Sequence, residues 1–126
     1  MTHLDTHVVV WLYAGEVGRF PEAARAALER DTLAISPAVV LELQYLHEIG
    51  RISQPARAVV DELRDRVGLV FAEAEFASVV SQALQLSWTS DPFDRLIAAH
   101  ALADDAPLLT ADRMLREHLT TAFWDL

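Results

Sequence analysis

Short apolar runs alternate with helix-length segments along this chain, and several of the runs close on a polar or acidic residue where a helix can start. His3 to Asp5, Thr32 to Ser36, Leu69 to Phe71, Leu108-Leu109 and Ala122 to Trp124 read as strands. The intervening segments predict helices over 6–13, 21–30, 37–49, 53–66, 75–86, 91–103 and 112–118. Ser36-Pro37 and Asp91-Pro92 each combine a side-chain N-cap with proline at the first helical position. Gly50 supplies a stop. Val8-Val9-Val10 fits a strand or a helix, and periodicity alone does not separate them. Leu69-Val70-Phe71 reads as a buried strand, and Phe76, Val79, Val80, Ala83 and Leu84 as one apolar helix face. Alternation of this kind predicts an α/β fold with a mostly parallel sheet covered on both faces, a three-layer α/β/α sandwich. At 126 residues the chain makes one domain, 1–126, with room for a real core.

Four acidic residues border the apolar runs. Asp5 follows Leu4 and precedes Val8-Val9-Val10-Trp11-Leu12; Glu42 interrupts Ala38-Val39-Val40-Leu41-Glu42-Leu43. Asp94 precedes Arg95-Leu96-Ile97-Ala98-Ala99, and Asp112 follows Leu108-Leu109-Thr110-Ala111. An ionised carboxylate at the edge of a core is costly unless it is paired or binds a cation. Lysine is absent and all ten basic residues are arginine, so ion pairing accounts for these acids less well than a shared cation does. In parallel sheets ligands bind beyond the carboxyl ends of the strands. Asp5 and Asp112 fall at such ends, and Glu42 and Asp94 on the helices that follow. Clustered without a cation, four carboxylates repel and at least one pKa rises.

Composition narrows the chemistry. The absence of cysteine excludes disulfides and thiol nucleophiles, and it fits a cytoplasmic setting. No apolar stretch approaches a membrane span, and Val8 to Ala14 lacks the basic flank and cleavage pattern of a signal peptide. A hydrophobic fraction of 52% and a mean hydropathy of +0.19 point to surface held in reserve for a partner or a second copy. A net charge of −9 opposes broad binding to nucleic acid. It leaves room for a nucleic-acid enzyme whose acidic site carries its own cation. Carboxylates without a His or Cys pair at ligand spacing suit Mg²⁺ or Mn²⁺ and not zinc. The matching reaction is metal-assisted phosphodiester hydrolysis.

Leu4-Asp5-Thr6-His7-Val8-Val9-Val10-Trp11-Leu12, Ser36-Pro37-Ala38-Val39-Val40-Leu41-Glu42-Leu43, the block Asp91-Pro92-Phe93-Asp94-Arg95-Leu96-Ile97-Ala98-Ala99-His100-Ala101 and Leu108-Leu109-Thr110-Ala111-Asp112 resemble the PIN-domain ribonucleases, in particular the VapC toxins of bacterial toxin–antitoxin pairs. The resemblance runs through Trp124-Asp125. It implies a metal-dependent endoribonuclease that inhibits translation, with Mg²⁺ (Mn²⁺ as substitute) held by Asp5, Glu42, Asp94 and Asp112. Asp91 matches a further acidic position of the subgroup. It also implies a VapB-type antitoxin as partner, an RNA substrate and a homodimer.

Each residue also has a plainer reading. Asp91 is either an N-cap or part of the metal site; Asp94 can be a helix-dipole partner, Asp112 a cap and Asp5 a turn residue. Together these leave an inward Glu42 unexplained. Thr110 and Thr6 can orient a neighbouring carboxylate. Arg95 and Arg113, near the expected mouth, are candidate RNA contacts, while Arg116 reads as solvated. His7 and His100 can serve as acid or base near neutrality but read first as structural members of apolar helices. Trp11, Trp88 and Trp124 can stack on bases but read first as core or interface packing. A phosphoryl-aspartate phosphatase would want Asp where His7 stands, and receiver domains and P-loops need a lysine. The alternative that survives is a non-catalytic interaction module of the same fold.

Overall fold

The computed structural model describes residues 1–125. Five short strands are present: β1 (Thr2–Leu4), β2 (Leu33–Ile35), β3 (Val70–Phe71), β4 (Leu108–Leu109) and β5 (Ala122–Phe123). Every pairing is parallel, in the order β3-β2-β1-β4-β5. Successive strand residues point to opposite faces. Thr2, His3 and Leu4 of β1, and Leu33, Ala34 and Ile35 of β2, are all buried, so helices cover both faces. This is a parallel sheet flanked by helices, as the alternation predicts.

The helices are α1 (Thr6–Ala14), α2 (Glu22–Arg30), α3 (Pro37–Glu48), α4 (Ala56–Val67), α5 (Phe76–Ala83), α6 (Pro92–Ala103) and α7 (Arg113–His118). The valine triplet is helical: Asp5 caps α1, and Val8 and Val9 are fully buried. Ser36 caps α3 by accepting from the Ala38 N–H, and Asp91 caps α6 through the Phe93 and Asp94 N–H groups, each with proline next in line. No helix among the described residues is long and apolar enough to cross a membrane.

Two local readings are corrected. β3 is an exposed edge, with Val70 at 43% and Phe71 at 37% exposure, because nothing pairs beyond it. The α5 helix is shorter than expected and buries Val79 and Ala83, whereas Phe76 and Leu84 face solvent. An apolar sequence pattern marks a candidate face but does not supply its cover.

Strand order positions the site. The chain adds β2 and then β3 on one side of β1, and then crosses to add β4 and β5 on the other. The reversal falls between β1 and β4, whose carboxyl ends open a crevice of the kind that binds ligands in parallel sheets. β1 ends at Leu4 and β4 at Leu109, so Asp5 and Thr110 are the first residues into that crevice.

Candidate active site

Asp5 is the best-anchored acid in the crevice, at 4% exposure. Its Oδ1 accepts from the Thr6 N–H at 2.8 Å and its Oδ2 from the Thr110 hydroxyl at 2.6 Å. Thr110, itself fully buried, accepts in turn from the Asp112 N–H at 2.9 Å. One threonine therefore ties the carboxyl end of β1 to the start of α7. Thr6 donates its hydroxyl to Glu42 Oε1, which joins α1 to α3. Both auxiliary threonines thus touch carboxylates.

The cleft has a volume of about 400 Å³, and its lining includes Asp5, Thr6, Glu42, Asp91, Asp94 and Asp112. The acids that lie far apart in sequence face one cavity. Asp91 and Asp112 also act as caps: Asp112 accepts from the Met114 and Leu115 N–H groups at 2.8 and 3.2 Å. Capping engages Oδ1 of each and leaves Oδ2 available, so the two readings of Asp91 are compatible. A larger groove of about 710 Å³ lies between α3 and α4 and includes Pro37, Val40, Leu41 and Phe71. Its one acid, Asp61, is accompanied by Arg57 and Arg64, so the chemistry belongs to the smaller cleft.

Electrostatics register the crowding. Burial, reinforced by the negative charges of Asp5, Asp91, Asp112 and Glu42, pushes the Asp94 carboxyl up from 3.8 to about 7. Glu42 is also raised, first by burial and then by Asp5 and Asp91, against the lowering effect of its Thr6 hydrogen bond. Asp94 has no side-chain hydrogen bond among the described residues. No three acidic or imidazole side chains among the described residues form a ready-made cage for a metal. Mg²⁺ keeps several waters and is commonly held by one or two carboxylates plus substrate phosphate. An open, all-oxygen donor set around an unpaired acid of raised pKa therefore fits such a cation.

The structure revises three residues. His7, read as structural, lines the cleft. Its Nε2 accepts from the Ala111 N–H at 2.8 Å, so the proton of the neutral ring lies on Nδ1, 3.5 Å from Asp5 Oδ2. Burial holds its pKa below the ordinary value in spite of Asp5 and Asp112. The candidate RNA contacts Arg95 and Arg113 do not line the cleft. Arg95 donates to the Thr89 carbonyl at 2.8 Å, and Arg113 pairs with Glu117 at 3.0 Å on the surface. The arginine that does line it is Arg51, which sequence reasoning missed. Its one signal was its position just past Gly50, the stop of the helix that carries Glu42. His100 is buried away from the cleft, with Nδ1 2.6 Å from Ser36 Oγ.

The family model of the PIN domain matches residues 3–118. The chain belongs to the PIN-domain family. Ribonuclease VapC22 of Mycobacterium tuberculosis is 36% identical to this PIN domain over 118 residues, covering 91% of this chain and 89% of that protein. Among solved structures, VapBC2 from Rickettsia felis, bound to a DNA fragment from its promoter, superimposes with a TM-score of 0.68. Identity there is 22%, with 98% of each chain covered. DNA-bound VapBC from Salmonella typhimurium gives a TM-score of 0.64 at 22% identity, covering 91% of this PIN domain and 89% of that chain. At such identities these structures share its fold.

Proposed function

We propose that this PIN domain is a divalent-cation-dependent endoribonuclease of the VapC type, the toxin of a toxin–antitoxin pair, acting on RNA phosphodiesters. The observation that carries the reading is the meeting of Asp5, Glu42, Asp94 and Asp112 in one cleft at the switch point, with Asp94 raised to about 7. The name and 36% identity of the mycobacterial ribonuclease support it.

The four acids would hold Mg²⁺, with Mn²⁺ as substitute. When bound, the cation supplies Lewis-acid stabilisation of charge on the phosphate and acidifies water. The chain's own contribution is positional. Thr6 and Thr110 fix the orientation of Asp5 and Glu42, while the caps on α6 and α7 fix Asp91 and Asp112. Without a bound divalent cation Asp94 keeps its proton up to about pH 7, and a divalent cation nearby would favour its ionised form.

Partner binding is supported by exposed apolar side chains along α3: Leu41, Tyr45 and Ile49. The α3–α4 groove continues this surface. We assign that surface to a VapB-type antitoxin and to a second copy of the chain, in a cytoplasmic setting where RNA is available. The deciding experiment uses purified, antitoxin-free protein on structured RNA with Mg²⁺, Mn²⁺ or EDTA. Cleavage should require the cation and should fall by about 100-fold or more in Asp5→Asn, with the fold intact by circular dichroism. Equal cleavage by that variant would refute the site. No cleavage by the wild type under any cation would favour the non-catalytic interaction module.

A further inference from the structure

We infer that Arg51 anchors a backbone phosphate of bound RNA at the mouth of the acidic cleft, an assignment that rests on the ribonuclease reading above. The difficulty it resolves is electrostatic. A chain of net charge −9 whose cleft is lined by five carboxylates repels a polyanion, and one divalent cation there would offset only part of that negative charge.

The other arginines are paired or lie away from the acidic cleft. Arg19, Arg30, Arg66, Arg113 and Arg116 pair with carboxylates of their own surface. Arg25 and Arg95 donate to the Phe20 and Thr89 carbonyls. Arg57 and Arg64 line the separate groove between α3 and α4. Arg51 lines the acidic cleft, and its guanidinium has no hydrogen-bond or ion-pair partner among the described residues.

Its position is built into the backbone. Gly50 adopts φ +80°, a left-handed conformation natural to glycine, and turns the chain back onto the end of α3. The Arg51 N–H donates to the Leu46 carbonyl at 2.8 Å. The Ile52 carbonyl accepts from His47 Nδ1 at 3.2 Å, and the Ala56 N–H donates to Gln44 Oε1 at 3.1 Å. Leu46 is one turn beyond Glu42, and both line the cleft with Ile52. A strapped loop thus holds a planar, five-donor cation on the rim, a geometry suited to bidentate phosphate contact. A helix-dipole partner at the end of α3 would not need to reach into the cleft.

The test compares wild type, Arg51→Gln and Arg51→Lys on a single-stranded RNA oligonucleotide in Mg²⁺, between about 50 and 200 mM salt. Arg51→Gln should raise KM about tenfold, the loss of one charge-assisted contact, with kcat nearly kept. The log–log salt dependence of kcat/KM should become shallower by about 0.7, the loss of one phosphate contact. Arg51→Lys should restore the salt slope and part of the KM. The melting temperature and its increase with Mn²⁺ should be the same in all three. Unchanged KM and slope in Arg51→Gln beside an active wild type would overturn this assignment alone. So would a variant that changes only melting or Mn²⁺ response, which would mark Arg51 as a charge balance for the acids. A wild type that cleaves no RNA would instead overturn the ribonuclease reading and the role of Arg51 with it.

Discussion

Thr110 has no exposed surface and serves two acids at once, donating to Asp5 and accepting from the backbone of Asp112. Thr110→Val keeps the shape, removes the hydroxyl and leaves Asp5 Oδ2 without its buried donor. Hydrogen bonds to charged groups contribute about 1.5–3 kcal/mol. The variant should lose stability on that scale, read by urea unfolding, and should lose cleavage out of proportion to it. A variant with normal activity would show that Asp5 needs no orienting donor. Thr110 was legible as a helper because it stands two residues before Asp112. His7 was not. Its helix reads as apolar, and its partner Ala111 is brought to it by the pairing of β1 with β4. Arg51 was hidden for the same reason, since its value depends on acids more than 30 positions away as well as on nearby Glu42.

Caps are the devices that place the acids at the scale of elements. Asp91 and Asp112 each use one carboxylate oxygen to start a helix, and Ser36 starts the helix that carries Glu42. Asp91→Ser separates two roles, because serine also caps. The α6 helix and the melting temperature should survive, while cation-dependent cleavage falls. Unimpaired cleavage would reduce Asp91 to a cap. Asp91→Ala should in addition cost about 1 kcal/mol of stability. Helix starts were readable because capping is settled within four residues. The edge character of β3 and the bare flanks of α5 were not readable, because burial depends on what lies opposite. Arg95 shows the same limit: it stands beside Asp94, yet its side chain turns to the Thr89 carbonyl.

Stability of the whole molecule should carry the signature of the cleft. In cation-free protein the folded-state pKa of Asp94, about 7, lies above its ordinary 3.8. The stability it contributes is complete below pH 3.8 and is lost as pH rises through 7. His3 and His100 act in the opposite sense. Burial lowers both from 6.5, so their contribution is present above pH 6.5 and lost as pH falls. Above pH 7 without divalent cation, Asp94→Asn should melt a few degrees higher than wild type, an effect reduced by screening at the open cleft. At pH 5 the difference should be smaller, and it should vanish only below pH 3.8. Mg²⁺ at about 100 times its dissociation constant should stabilise the wild type by about 2.7 kcal/mol and Asp94→Asn by less. A wild type that melts above Asp94→Asn in EDTA at pH 8 would argue against crowding of the acids.

Strands, helix starts, the acidic residues and the parallel alternation all follow from neighbours within a few positions, so they could be read along the chain. The folded molecule settled the strand order and the exposed edge at β3. It also settled the raised pKa of Asp94 and the entry of His7 and Arg51 into the cleft. Each of these depends on distances and dielectric surroundings between segments remote in the chain, and only the packing of those segments sets them.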